Sequence, residues 1–393
     1  MNGDVKGMRS WAAGAALLLA ACSDSANAKP EQGAGAELPG KGGSSSSSGA
    51  TSNGATNPGN MAPPPCTVAE PVPIAEGKLS YTSLVGDAVY YVDQQDGTPV
   101  PTLVNTWYGA IKRVDLASGQ TTTVFAPQRS YLDDLLITAD TIYSASHQLI
   151  EPGEADVYRL PIPAQGDPQL VSPAWSMNET AFSEKALIGI VGNELLVDGL
   201  TGLVALSLTD GSVRRLLDED KRVRQQLVGN QLWYGTDFGL GGIFRLDVAT
   251  PGSTPVEVYP KGCSTDGGKV ASWFLVTSSE IFCDGGSSIK ALALDGSGPT
   301  RSWDMKQVQR ESYYPTYSDG DALYLASDDN GVKLPLGGGD PEYFSCQPTP
   351  VTGITGNANW FVWAKNLQPN AGVLDYTARI GGDQVSAIYA KRR

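Results

Sequence analysis

One short pattern returns along most of this chain: a polar turn followed by a run of aliphatic or aromatic residues. It reads Gly86-Asp87-Ala88-Val89-Tyr90, Ala139-Asp140-Thr141-Ile142-Tyr143, Gly192-Asn193-Glu194-Leu195-Leu196 and Gly229-Asn230-Gln231-Leu232-Trp233. It returns as Ser278-Ser279-Glu280-Ile281-Phe282, Gly320-Asp321-Ala322-Leu323-Tyr324 and Gly356-Asn357-Ala358-Asn359-Trp360-Phe361. A second pattern follows each copy, as in Ile111 to Leu116, the turn Ser118-Gly119, then Thr121 to Phe125. Related segments are Val157–Leu160, Val204–Leu208, Ile243–Asp247, Ile289–Leu294, Val332–Leu336 and Val373–Thr377. Two short hairpins per copy, spaced at roughly 45 residues, make a four-stranded unit. Such a unit cannot bury both faces alone, so its neighbours must cover it.

Alternation of apolar and polar residues in the second hairpin predicts half-buried strands, and Gly-Asp and Asp-Gly pairs mark tight turns. The expected fold is all-β, a β-propeller of seven four-stranded blades spanning 66–393, because ring closure removes exposed sheet edges. Insertions in the first two repeats leave an open arrangement, or six or eight blades, as alternatives. The last copy carries a further segment, Gln384 to Ala390. It is therefore expected to own all four strands without exchange between the chain ends. Arg214 to Arg224, mixed in charge, is expected to be a solvated connection between repeats three and four, with a short helix as the alternative.

The first 21 residues read as a targeting segment. Lys6 and Arg9 precede an apolar run, Trp11 to Ala21, too short to span a bilayer. Leu19-Ala20-Ala21-Cys22 resembles a bacterial lipobox. That resemblance implies lipidation of Cys22 and cleavage just before it, with Ser23 next in line as in outer-membrane lipoproteins. Residues 22–65 follow as a Gly/Ser/Pro-rich stretch with too little apolar surface to order itself, a flexible tether. A net charge of −14, from 28 basic and 42 acidic residues, argues against nucleic acid and anionic membrane surfaces as partners.

Beyond Cys22, four cysteines remain: Cys66, Cys263, Cys283 and Cys346. An even count in an exported chain suggests two disulfides, and four cysteines allow three pairings. Cys263 and Cys283 flank the first hairpin of the fifth repeat, which favours that pair and leaves Cys66 for Cys346. Four buried thiols are the competing reading. A zinc site is disfavoured by long spacings and a single histidine, His147.

In an antiparallel four-strand unit, the first-to-second and third-to-fourth turns share one end. The remaining connections share the other. The long stretches Gln94–Tyr108, Ser144–Asp156, Pro173–Phe182, Tyr259–Val270 and Asp304–Tyr314 all belong to the second class. That end is the expected binding face, with Trp107, Tyr108, His147, Trp175 and Phe238 as its candidate residues. The competing reading is that these rings pack down their own loops. No catalytic set is evident: there is one histidine and no Gly-x-Ser-x-Gly elbow. Ser264-Thr265-Asp266-Gly267-Gly268 partly resembles a sialidase Asp box but reads better as a turn. No cofactor is expected, although loop carboxylates could hold calcium without fixed spacing.

Signal, tether and repeats together resemble bacterial lipoproteins carrying a TolB-like propeller. The resemblance covers the whole chain and implies architecture rather than activity. The expectation is a monomer, held at the outer membrane by its lipid and facing the periplasm or the cell surface. Its propeller would bind an envelope protein or glycan without catalysis. The alternative is a calcium-dependent propeller enzyme of lactonase or quinoprotein type.

Overall fold

The computed structural model describes residues 66–97, 99, 109–127, 131–147, 155–162, 168–172, 186–199, 202–218, 222–236, 241–260, 263, 273–284, 288–305, 313–327, 330–346, 351–367 and 385–393. The signal and tether assigned above, with Cys22, lie outside the described residues. So do Val373–Thr377 and Ser264–Gly268.

Every regular element among the described residues is a strand. The first group is β1 (Ala75–Val85), β2 (Ala88–Asp93), β3 (Ala110–Asp115) and β4 (Thr121–Phe125). Next come β5 (Tyr131–Ile137), β6 (Thr141–His147), β7 (Ala155–Pro161) and β8 (Gln169–Ser172). These precede β9 (Ala186–Val191), β10 (Glu194–Gly199), β11 (Gly202–Ser207) and β12 (Val213–Asp218). The fourth group holds β13 (Arg222–Val228), β14 (Gln231–Thr236), β15 (Ile243–Asp247) and β16 (Val256–Tyr259). The fifth holds β17 (Phe274–Val276), β18 (Glu280–Asp284), β19 (Ser288–Ala293) and β20 (Pro299–Asp304). Then come β21 (Tyr314–Ser318), β22 (Ala322–Ala326), β23 (Asn330–Pro335) and β24 (Glu342–Cys346), and last β25 (Val351–Gly356), β26 (Trp360–Asn366) and β27 (Val385–Arg392).

Among the described residues, five of the six sheets are four-stranded and antiparallel, with strands in sequence order. The sixth has seven strands, ordered β25-β26-β27-β1-β2-β3-β4. Strand β1 serves both halves of it. Ala75–Lys78 pair with Val385–Ile388 of β27, and Leu79 onward pairs with β2. This corrects the expectation that the last copy owns all four strands. β26 pairs directly with β27, and the strand beside β27 comes from the N-terminal side of the domain. The mixed-charge stretch is also not one connection: Arg214–Asp218 lie in β12 and Arg222 opens β13.

Tight turns join the strands at one end. Gly86, Gly192 and Gly229 sit at the first central position of two-residue hairpin turns, with φ of 56°, 60° and 60°. Positive φ there matches the twist of the flanking strands. Register slips recur at equivalent places. The first and second strands slip at Ser80/Ser83, Leu132/Asp134, Val223/Gln226, Pro315/Tyr317 and Thr352/Thr355. The third and fourth slip at Ile111/Lys112, Val157/Tyr158, Leu203/Val204, Ile243/Phe244, Ala291/Leu292 and Gly331/Val332. Bulges increase twist, and a twisted edge strand is a poor template for pairing with another chain.

The second strand of each group is buried on both faces, which explains its unbroken apolar run. In β2, Ala88, Tyr90 and Val92 pack with Ile142 and Leu160 of the next sheet, while Val89 and Tyr91 pack with Val362, Ala364 and Ile388. Leu195 and Val197 turn toward Tyr143 and Val157, whereas Leu196 turns toward Leu232 and Tyr234. The same division places Phe282 with Leu323 and Leu325, and Ile281 with Trp233. Tyr324 packs with Phe361 and Trp363. Each space between successive sheets is thus filled by its own apolar cluster. The first strands also touch in sequence: β1 with β5, β5 with β9, and so on to β25, which returns to β1.

Candidate functional site

The two ends of the strands differ in chemistry. At the tight-turn end, polar side chains are used up in holding turns and neighbouring sheets together. Asp115 accepts from the Ser118 backbone N–H and hydroxyl, both at 2.9 Å, and Asp210 accepts likewise from Ser212. Hydrogen bonds from Ser207 and Ser212 pull the Asp210 carboxyl down to about 2, and serine donors lower Asp115 and Asp295 in the same direction.

Arginines then link sheet to sheet. Arg159 donates to the Leu208 carbonyl (3.4 Å), Arg214 to that of Val248 (3.0 Å) and Arg301 to that of Leu336 (3.0 Å). Those three acceptors stand at one repeat position. Each also donates its own N–H to a hairpin-turn carbonyl, of Asn193, Asn230 or Asp321. Between the last and first groups, Asn357 donates to Gly86 O (2.7 Å) and Trp360 Nε1 to Asp87 (3.0 Å). Arg393 reaches Asp319 at 2.7 Å, and its guanidinium lies 5.7–5.9 Å from the rings of Tyr317, Tyr324 and Phe361. Burial and the Asp319 carboxylate push the Tyr324 hydroxyl up to about 12. It stays a proton donor at any physiological pH. Sequence reading missed these arginines because each lies in an ordinary strand position, and its acceptor is a backbone carbonyl with no side-chain signature.

At the opposite end emerge the connections 94–109, 148–154, 173–185, 260–273, 305–313 and 367–384. Of the five residues proposed for this face, Trp107, Tyr108, Trp175 and Phe238 lie outside the described residues. His147 is not in a loop, as its neighbours suggested. It is the last residue of β6, paired with Tyr131 on one side and Ala155 on the other. The connection there shrinks to 148–154 because Ser144–His147 and Ala155–Asp156 are ladder residues.

The described part of this end carries a buried polar cluster between β24 and β26. Lys365, 1% exposed, donates to both Glu70 oxygens at 2.7 and 2.8 Å and to the Cys346 carbonyl at 3.1 Å. Glu70 accepts in addition from the Ser345 hydroxyl (2.5 Å) and the Cys346 N–H (3.2 Å). All three ammonium donors are therefore occupied, and the group serves as a lock rather than a nucleophile. The Lys365 ammonium also lies 5.8 Å from the Tyr389 ring. Burial, then the Glu70 and Glu76 charges, raise the Tyr389 hydroxyl. Two disulfides are present. Cys66–Cys346 stands beside this cluster, and Cys263–Cys283 joins the lead into β17 to β18, each with Cα atoms 5.6 Å apart.

Side chains also bridge the first strands. Asp134 accepts from Leu187 N–H at 2.6 Å, across β5 and β9. Gln226 accepts from Val276 N–H at 2.6 Å and donates to Phe274 O at 3.4 Å, across β13 and β17. Among the described residues, no three of the His, Cys, Asp and Glu side chains gather as a metal site would require.

No protein-family model and no curated protein matches the chain. Solved structures do. The chain is similar to an "AfRom2 CNH domain" at TM-score 0.50 and 7% identity, over 79% of this chain and 93% of that one. It is also matched by a chain of a nidogen/laminin complex at TM-score 0.38 and 12% identity, over 58% of this chain and 81% of that one. At such identity the first likeness concerns the fold alone.

Proposed function

We propose that this chain is an outer-membrane-anchored lipoprotein whose four-stranded groups form a seven-bladed β-propeller. The propeller acts as a non-enzymatic binding or scaffold module for an envelope protein or glycan. The blade count is supported by the cyclic succession of first-strand contacts, β1 through β25 and back to β1. The lipobox at Cys22 and the stretch 23–65 support the anchor and tether.

The observation that carries the binding role is the asymmetry between the two ends. At one end the turns are short, and their carbonyls are already engaged by Arg159, Arg214 and Arg301. At the other, the long connections spring from strands held rigid on both faces. Binding residues are typically loop residues on a rigid scaffold, so the second end is the one that meets the partner. The leading segment reaches the domain at this end as well, where Glu70 meets the last residues of β24 and β26.

The test is crosslinking of tagged, lipidated protein in intact cells, alongside a variant with 94–109 and 148–154 shortened. Recovery of one or two stoichiometric partners, lost on shortening, supports the reading. Equal recovery with the shortened loops refutes the face assignment. Failure of Cys22 to incorporate a lipid probe refutes the anchor.

A further inference from the structure

We propose that the Cys66–Cys346 disulfide shields the closure of this domain from mechanical tension. Tension arriving along the chain ahead of Cys66 passes into β24. It does not peel the closing segment 66–78 away from β27. The inference rests in part on the tether reading above, since a module anchored through its N-terminal side and bound to a partner is pulled from both ends.

Three features of that segment carry it. First, 66–78 is the part of the chain that completes the ladder of the last group, through Ala75–Lys78 on β27 and the Ile74 N–H to Ile388 O bond of 2.8 Å. That ladder is only four residue pairs long. Opening it leaves β27 as a bare sheet edge. Second, Glu70 ties the same segment to a buried charge, the Lys365 ammonium. Withdrawing Glu70 would leave the Lys365 ammonium buried without its counter-charge. Third, the disulfide lies ahead of both. Cys66 is joined to the last residue of β24, and Val68 N–H also meets the Cys346 sulfur at 3.3 Å. β24 is itself paired along its length with β23. A pull on residue 66 is thereby delivered to a different strand group, and Glu70, Ile74 and the β1–β27 ladder lie off the line of force.

The arrangement is specific to one of the two disulfides. Cys263–Cys283 closes a short loop inside one group, with both sulfurs buried in an apolar cluster. It crosses no chain-end contact. Its role is local, whereas Cys66–Cys346 joins residues 280 apart in sequence.

An optical-trap measurement tests this on the full mature chain. One handle sits in the 23–65 stretch and the other in the exposed turn between β15 and β16. The oxidised protein is expected to show no extension step before the main unfolding event. The Cys66→Ala/Cys346→Ala variant is expected to show an early low-force step. Its length is at most about 44 Å, the contour of about 13 released residues at roughly 3.4 Å each, less the span the segment already covers when folded. If that variant does not fold, the same step is sought in wild-type molecules folded oxidised and then reduced in the trap by a dithiol. Cys66 is the more accessible target there, since Cys263 and Cys283 are buried. An early step in the oxidised protein overturns the proposal, as does its absence after the bond is removed or reduced. The outcome does not depend on a lipid, so failure here and failure of the anchor reading are separate results.

Discussion

Removing Glu70 is expected to destabilise the domain far more than removing its partner Lys365, although the two form one ion pair. The Lys365 side chain is 1% exposed and that of Glu70 14%. In Glu70→Ala the ammonium keeps only the Cys346 carbonyl as a hydrogen-bond acceptor, and the wholly buried Ser345 hydroxyl and the Cys346 N–H lose their acceptor. Breaking a buried pair from one side costs about 3–5 kcal/mol, because a charge is left without compensation. The orphaned Ser345 hydroxyl raises the loss toward the upper end of that range. In Lys365→Met the carboxylate retains both of those donors and some contact with water, and the Met chain fills the vacated space. The expected loss is about 1–2 kcal/mol. The double variant Glu70→Gln/Lys365→Met should recover most of the Glu70→Ala loss, since no charge stays buried. Urea unfolding with both disulfides intact measures all three, with an unchanged slope confirming that the stability of the same transition is being compared. A loss for Lys365→Met equal to or greater than that for Glu70→Ala would refute the reasoning, which depends on where the uncompensated charge is stranded.

Three further outcomes follow from the geometry. Loss of the Cys66–Cys346 bond, closing a loop with a sequence separation of 280, should cost about 5.6 kcal/mol on loop entropy. Loss of Cys263–Cys283, with a separation of 20, should cost about 3 kcal/mol. Paired thermal melts of Cys→Ala variants check the order. Asp210 is pulled from its ordinary 3.8 to about 2 by Ser207 and Ser212, and Asp115 and Asp295 are also lowered. Carboxyls depressed in the folded state stabilise it above their unfolded value and lose that contribution as pH falls through the folded one. Stability should therefore decline between pH 3.8 and about 2, less steeply in Asp210→Asn, and an Asp210 carboxyl that titrates in NMR at or above 3.8 would contradict this. Gly331→Ala should destabilise by about 1–3 kcal/mol, because the added methyl meets the Phe344 ring lying over Gly331 in β23. In a double-mutant cycle with Phe344→Leu, read by urea unfolding, a combined loss smaller than the sum of the two single losses marks this clash, and additive losses mark a backbone effect.

Much of the fold was legible along the chain. The runs Ala88–Asp93, Leu195–Leu196 and Leu232–Trp233 lie in second strands, and the Gly-Asp and Gly-Asn pairs before them are the hairpin turns. Asp115 and Asp210 are acceptors in the hairpin turns that hold Ser118-Gly119 and Gly211-Ser212. Where the reading went astray, the missing information was a partner. Arg214–Arg224 looked like a linker because its charges follow no strand alternation. Yet β12 is the fourth strand of its group, where arginine can reach the next group's backbone. His147 read as a loop residue because the period does not reveal how far β6 runs before it turns.

Local pattern along the chain is enough to set the strand-rich character, the spacing of the hairpins, the apolar second strands and the end at which the long connections collect. These follow from interactions between residues a few to a few tens apart, which leave a period that can be read. The tertiary structure alone decided that β1 is divided between β27 and β2, that Glu70 locks onto Lys365, and that Arg159, Arg214 and Arg301 link successive sheets. Those contacts carry no period. Glu70 and Lys365 meet across a separation of 295 residues. Which strand borders the last group depends on the accumulated twist and placement of every group between, a quantity that no local pattern records.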